Sequence, residues 1–85
     1  MPVALKLHVE CYAGFKADER PVQFRFCGKR ARTFKVEEVV DQWYGLGYRC
    51  FKVRADDGNL YVLRHNESED LWVLDSFRQA NLRRE

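Results

Sequence analysis

The chain is poor in what punctuates or staples a fold. Its 85 residues hold two prolines and five glycines, too few for a proline- or glycine-rich linker. No internal repeat stands out. No run approaches the ~20 apolar residues that cross a membrane, and the opening MPVALKLHVE lacks the basic leader and long apolar core of a secretion signal. Three cysteines, Cys11, Cys27 and Cys50, cannot all pair with one another. An odd count without a secretion signal leads us to expect a cytoplasmic protein in a reducing compartment. The cysteines and the two histidines, His8 and His65, have none of the close pairings of structural zinc sites. No metal or cofactor is therefore expected.

Charge of one sign is also scarce. A net charge of +2 sets up no strong field. The distribution is more uneven than the total. Residues 20–35 carry Arg20, Arg25, Lys29, Arg30, Arg32 and Lys35 with no acid, whereas residues 56–75 carry six acids against Arg64 alone.

What the chain has in quantity is apolar and aromatic side chains, 46% and 14% of the residues. That is enough for one small core, so residues 1–85 are expected to form a single domain with a polar tail at 78–85. A chain this short buries a little over ~60% of its unfolded surface. Such a core leaves little room for a pocket of several hundred Å³.

The clearest stretch is Tyr48 to His65, YRCFKVRADDGNLYVLRH, two aromatic and β-branched segments around Asp56-Asp57-Gly58. A two-residue type I′ turn on Asp57-Gly58 is one solution. A three-residue loop, with Asp56 and Asp57 in a type I turn and Gly58 in the left-handed region, is preferred, because glycine alone adopts that region cheaply. One residue of register moves a strand's side chains to the other face. The preferred register sets Val53 opposite Tyr61 and Phe51 opposite Leu63 as one buried face. Lys52 and Arg54 then face Val62 and Leu60.

Four further stretches read as strands. Val3 to Cys11 alternates, with Lys6, His8 and Glu10 on the polar side. Val22 to Cys27 places Val22, Phe24 and Phe26 on one face, and Gly28-Lys29 turns it onto Arg32 to Val36. Between the first two lies a polar loop, Tyr12 to Pro21. KVEEVVDQWYG is ambiguous: Val36, Val39, Val40 and Trp43 have helical spacing, but three valines and the absence of a cap favour a strand. A bulge near Glu37-Glu38 would carry the alternation from Phe34 and Val36 to Val39 and Trp43. Gly45 and Gly47 turn the chain into Tyr48. The last strand, Leu71 to Phe77, has Trp72, Leu74 and Ser76 on one face and Leu71, Val73, Asp75 and Phe77 on the other. The expected class is all-β: a small antiparallel SH3-like barrel or a strongly bent sheet of five to six strands.

Two surfaces are candidates for function. The polar loop and the approach to the hairpin contribute Tyr12, Lys16, Asp18, Glu19, Arg20, Trp43, Tyr44 and Tyr48, a surface suited to a protein partner or self-association. Arg25, Lys29, Arg30, Arg32 and Lys35, interleaved with phenylalanines, form the alternative, a surface for nucleic acid. Alternation alone also sends cations out and aromatics in. No nucleophile has a positioned base, and the turn already explains Asp56-Asp57. No catalytic residue is expected.

Cys11-Tyr12-Ala13-Gly14, the run Lys16 to Pro21, Trp43-Tyr44-Gly45 followed by Tyr48, Phe51 to Gly58 and Leu63-Arg64-His65 are similar to a family of small uncharacterised bacterial cytoplasmic proteins. Trp43, Phe51 with Val53, Gly58 and Trp72 more loosely resemble a domain of unknown function in polymerase-like accessory proteins of bacterial DNA repair. The likeness lies in core positions. It implies fold, transfers no functional residue, and favours a non-enzymatic interaction module.

Overall fold

The computed structural model describes residues 5–12, 20–28 and 32–78. They form six strands: β1 Leu5–Tyr12, β2 Arg20–Phe26, β3 Thr33–Gly45, β4 Tyr48–Ala55, β5 Leu60–Asn66 and β6 Leu71–Arg78. Each pairs antiparallel with its chain neighbours, and β1 returns to β6, so the sheet closes into a barrel. No described residue is helical, and no helix is long and apolar enough to cross a membrane. The all-β class and the small barrel are as expected. Lys16, Asp18, Glu19, Lys29 and Arg30 lie outside the described residues, as does the tail beyond Arg78.

The hairpin takes the preferred register. Val53 faces Tyr61, Phe51 faces Leu63, Lys52 faces Val62 and Arg54 faces Leu60. Gly58 has φ 86°. Its N–H donates to the Ala55 carbonyl over 2.9 Å, and the Ala55 N–H donates to the Asn59 carbonyl over 3.0 Å. This is the three-residue loop with a left-handed glycine, and it points Phe51, Val53, Tyr61 and Leu63 into the barrel.

Leu7, Phe24, Phe51, Val53, Ala55, Tyr61 and Leu63 form the core, with Val9, Phe26, Phe34, Val36, Val39, Trp72 and Leu74 packed against it. Phe24 is central: its ring stacks on Phe34 at 5.2 Å and meets Tyr61 edge-on at 5.0 Å. Such aromatic pairs add about 0.5–1.5 kcal/mol each beyond the area they bury.

β3 is a strand throughout, with a bulge between Val36 and Glu38 where one was expected. Three further single-residue irregularities correct the expected faces. In β2, Gln23 faces Glu10 while Pro21 faces Cys11. Val22 is the extra residue. It turns outward, and Pro21 is buried in its place. In β3 a second shift falls between Val39 and Asp41. It makes Val40 the extra residue, sets Gln42 opposite Phe51, and sends Trp43 to the outside opposite Cys50. Trp43 therefore does not share the face of Val39. In β6, Val62 faces Ser76 but Leu63 faces Leu74. Asp75 is passed over, and Phe77 moves to the face of Leu74, its ring 5.0 Å from Tyr61. In each case one added residue inverts the inside–outside pattern downstream. The loop after β1 is also shorter than expected, since Tyr12 and Arg20 pair with each other as strand residues.

Candidate interaction surface

β2 and β3 pair only through Gln23–Lys35, Phe24–Phe34 and Arg25–Thr33. β3 continues with β4 from Val36 opposite Ala55 to Gly45 opposite Tyr48. The second half of β3 thus has a partner on one side only among the described residues. Pro21 fits this opening. It lacks an N–H and belongs where β2 has no second neighbour.

The β3–β4 arm is built to hold its shape. A Cβ on Gly45 would lie 2.5 Å from the Tyr48 ring, so that ring rests directly on the glycine backbone. The Arg64 guanidinium covers the ring, 4.7 Å from its centre. Arg64 is itself held by Asn66 at 3.1 Å and by Asp75 at 3.7 Å. The tip is tied to the next turn by the Glu67 N–H donating to the Gly47 carbonyl over 2.9 Å.

On this frame the apolar side chains at the tip face solvent. Val40, Trp43, Tyr44 and Leu46 are 43%, 40%, 80% and 98% exposed. Tyr48 is half-buried beneath Arg64 and serves as a platform rather than a free ring. Cys50 lies on the outer face between Trp43 and Arg64, yet is buried. Burial pushes its thiol pKa up, helped by the Asp75 charge and opposed by Arg64.

A cross-strand row runs from the arm across β5 to β6. Tyr44 faces Arg49, Arg49 faces His65, and His65 faces Trp72. The His65 and Trp72 rings stack 4.5 Å apart, and His65 Nε2 lies 2.9 Å from Asp70 Oδ1. Gln42, Trp43, Tyr44, Arg49, Cys50 and Phe51 line a hollow of about 300 Å³. An apolar hollow of about 390 Å³, lined by Leu5, Phe26, Tyr61, Leu74 and Phe77, opens at the opposite mouth. The expectation of little pocket volume is corrected here. Both hollows open at the surface, so a small core does not forbid them.

The backbone of β3 matters as much as its side chains. Alternate residues of an antiparallel strand turn their N–H and C=O toward the same neighbour. Leu46-Gly47 forms a two-residue turn, which makes Gly45 and Tyr48 the closing hydrogen-bonded pair. Gly45 and Trp43 therefore face β4, and Gln42 and Tyr44 present their backbone groups to the open side. Among the described residues, the Gln42 N–H accordingly meets no neighbouring strand. It donates to the neighbouring Asp41 Oδ1 over 2.8 Å.

The other sequence-derived site residues are scattered. Tyr12 and Arg20 end the β1–β2 ladder, with the Arg20 guanidinium 5.4 Å from the Tyr12 ring centre. Among the described residues, no ladder or ring contact joins them to Trp43 and Tyr44. In the basic segment Arg32 is engaged twice. It binds Asp56 at 2.9 Å and lies 4.3 Å from the centre of the Phe34 ring. Arg25 and Lys35 face outward across the β2–β3 ladder. Arg25 lines a hollow of about 220 Å³ with His8, Glu10 and Gln23. Sequence reasoning missed Gln42, Arg49, His65 and Trp72. Only the register places Arg49, His65 and Trp72 in one cross-strand row with Tyr44, and no local motif marks any of the four.

The fold and the exposed arm together define the class, a closed six-stranded antiparallel barrel with one projecting hairpin. No family model, no curated protein and no solved structure matches the chain.

Proposed function

We propose that the protein is a non-catalytic, cytoplasmic binding module that docks a protein partner on the β3–β4 arm. One observation carries this reading: the arm exposes Val40, Trp43 and Tyr44 on β3 and Leu46 in its turn, and among the described residues the second half of β3 has an edge with backbone donors and acceptors still to offer. Exposed apolar side chains grouped at one place mark interaction sites. An open edge adds main-chain hydrogen bonds to any extended partner. The free thiols of Cys27 and Cys50 suit a reducing cytosol. The reading needs no chemistry from the site, only a rigid apolar tip.

Selection of displayed random peptides on the immobilised protein tests it. Peptides recovered on the wild type are expected to lose at least ~10-fold in affinity, about 1.4 kcal/mol, on the double variant Trp43→Ala with Tyr44→Ala. Peptides that bind both forms equally would move the site elsewhere.

A further inference from the structure

We propose that Asp41–Gly45 of β3 pairs antiparallel with the same segment of a second copy, about a two-fold axis passing beside Trp43. The inference rests on the arm being the interaction surface and names what docks there.

Monomeric proteins guard open edges with bulges, lysines or prolines. β3 has bulges only up to Val40, where the register shifts against β4. From Asp41 to Gly45 the ladder with β4 is regular, and the stretch contains neither lysine nor proline. That regular stretch, whose one charge is Asp41 at its start, is the least guarded part of the edge among the described residues.

It is also self-complementary. Gln42 and Tyr44 are the residues that face the open side. A two-fold axis at Trp43 sets Gln42 of one copy opposite Tyr44 of the other, and each such pair exchanges two hydrogen bonds, about four across the axis. The two Trp43 side chains then meet as a non-hydrogen-bonded pair, the closer of the two pairings, where aromatic pairs contribute most. Asp41 falls opposite Gly45 of the second copy, so no acid meets an acid. Glu38 is engaged with Arg54 on its own sheet. The pairing continues toward Val40 of one copy and Leu46 of the other, the remaining exposed apolar residues of the arm. A C2 interface requires one patch that fits itself, and this register supplies it. The Asp41 carboxylate holds the Gln42 N–H until a second strand replaces it.

So short an interface belongs to the weak class, below about 1,200 Å², and is read at high concentration. Sedimentation equilibrium of the full chain from about 10 µM to about 1 mM is expected to show a monomer–dimer equilibrium. Gln42→Pro removes the outward donor without touching the β4 ladder, and is expected to weaken dimerisation at least ~10-fold while the circular dichroism stays that of the wild type. Trp43→Arg places two like charges across the axis and should do the same, which keeps the test decisive if the proline variant fails to fold. A wild type that is monomeric throughout would overturn the pairing. So would a dimer that survives either variant in folded form. If a monomeric wild type still retains arm-dependent peptides, only the self-pairing falls; if it retains none, the docking reading falls with it.

Discussion

The Tyr61 hydroxyl donates to Asp57 Oδ2 over 2.6 Å, joining the core to the turn that sets its register. Asn59 completes the cluster, donating to the same carboxylate from its backbone and from its side chain, each over 3.0 Å. Burial and this hydrogen bond raise the Tyr61 pKa to about 12. Burial also pushes the Asp57 carboxyl up, but the donors from Tyr61 and Asn59, with the nearby Arg32 charge, outweigh it and hold the pKa below the ordinary carboxylate range.

Both shifts become pH dependence. Tyr61 titrates higher in the folded state than in the unfolded chain, where tyrosine lies near ~10. Its contribution is complete below that value and is lost as the pH climbs toward about 12. Asp57 runs the other way: its contribution is present above the unfolded carboxylate range of about 4 and disappears as the pH falls through the lowered folded value. Tyr61→Phe should cost about 1 kcal/mol at neutral pH and should remove one late step from the tyrosinate absorbance titration. The stability gap between wild type and Asp57→Asn should close on acidification. A gap that persists at low pH would mean the carboxylate is not the source.

Gly58 sits at φ 86° with nothing within 4 Å of where a Cβ would stand. The cost of a side chain there is conformational, not steric. Gly58→Val is expected to lose at least about 1 kcal/mol and Gly58→Asn less, because asparagine tolerates the left-handed region. Equal losses in urea titrations would show that backbone strain is not what the turn selects against.

The cysteines should separate by reactivity. Cys27 is exposed, whereas Cys50 is buried with a raised pKa. Thiolate, not thiol, attacks a disulfide reagent. Cys27 should therefore react first with an aromatic disulfide, and Cys50 only once denaturant opens the sheet. Early labelling of Cys50 would place it at a mobile edge.

Core and tip should also part company. Phe24→Ala removes the centre of the aromatic cluster and is expected to cost about 3–5 kcal/mol. Tyr44→Ala, at the exposed tip, should stay within about 0.5 kcal/mol of wild type. Thermal melts of the two variants check both, and a large loss for Tyr44→Ala would make the tip structural rather than a docking surface.

The candidate surface was half legible. Trp43 and Tyr44 stand out in the chain because two large rings precede a Gly-x-Gly turn. Tyr48 reads as their partner in the chain, but its ring is spent on Gly45 and under Arg64. Arg49, His65 and Trp72 carry no local mark; they join Tyr44 through a register spanning four strands.

The sequence by itself determined the strands, the central turn and its register. Alternation and a left-handed glycine are local properties, and each admits few solutions. Only the tertiary structure decided where the alternation slips. Val22, Val40 and Asp75 are ordinary residues in their own segments. They become the extra residues because strands of unequal length must close into one barrel, and the surplus is taken up wherever the facing strand offers no partner. The slip at Val40 turned Trp43 outward, and among the described residues the second half of β3 keeps β4 as its one neighbour.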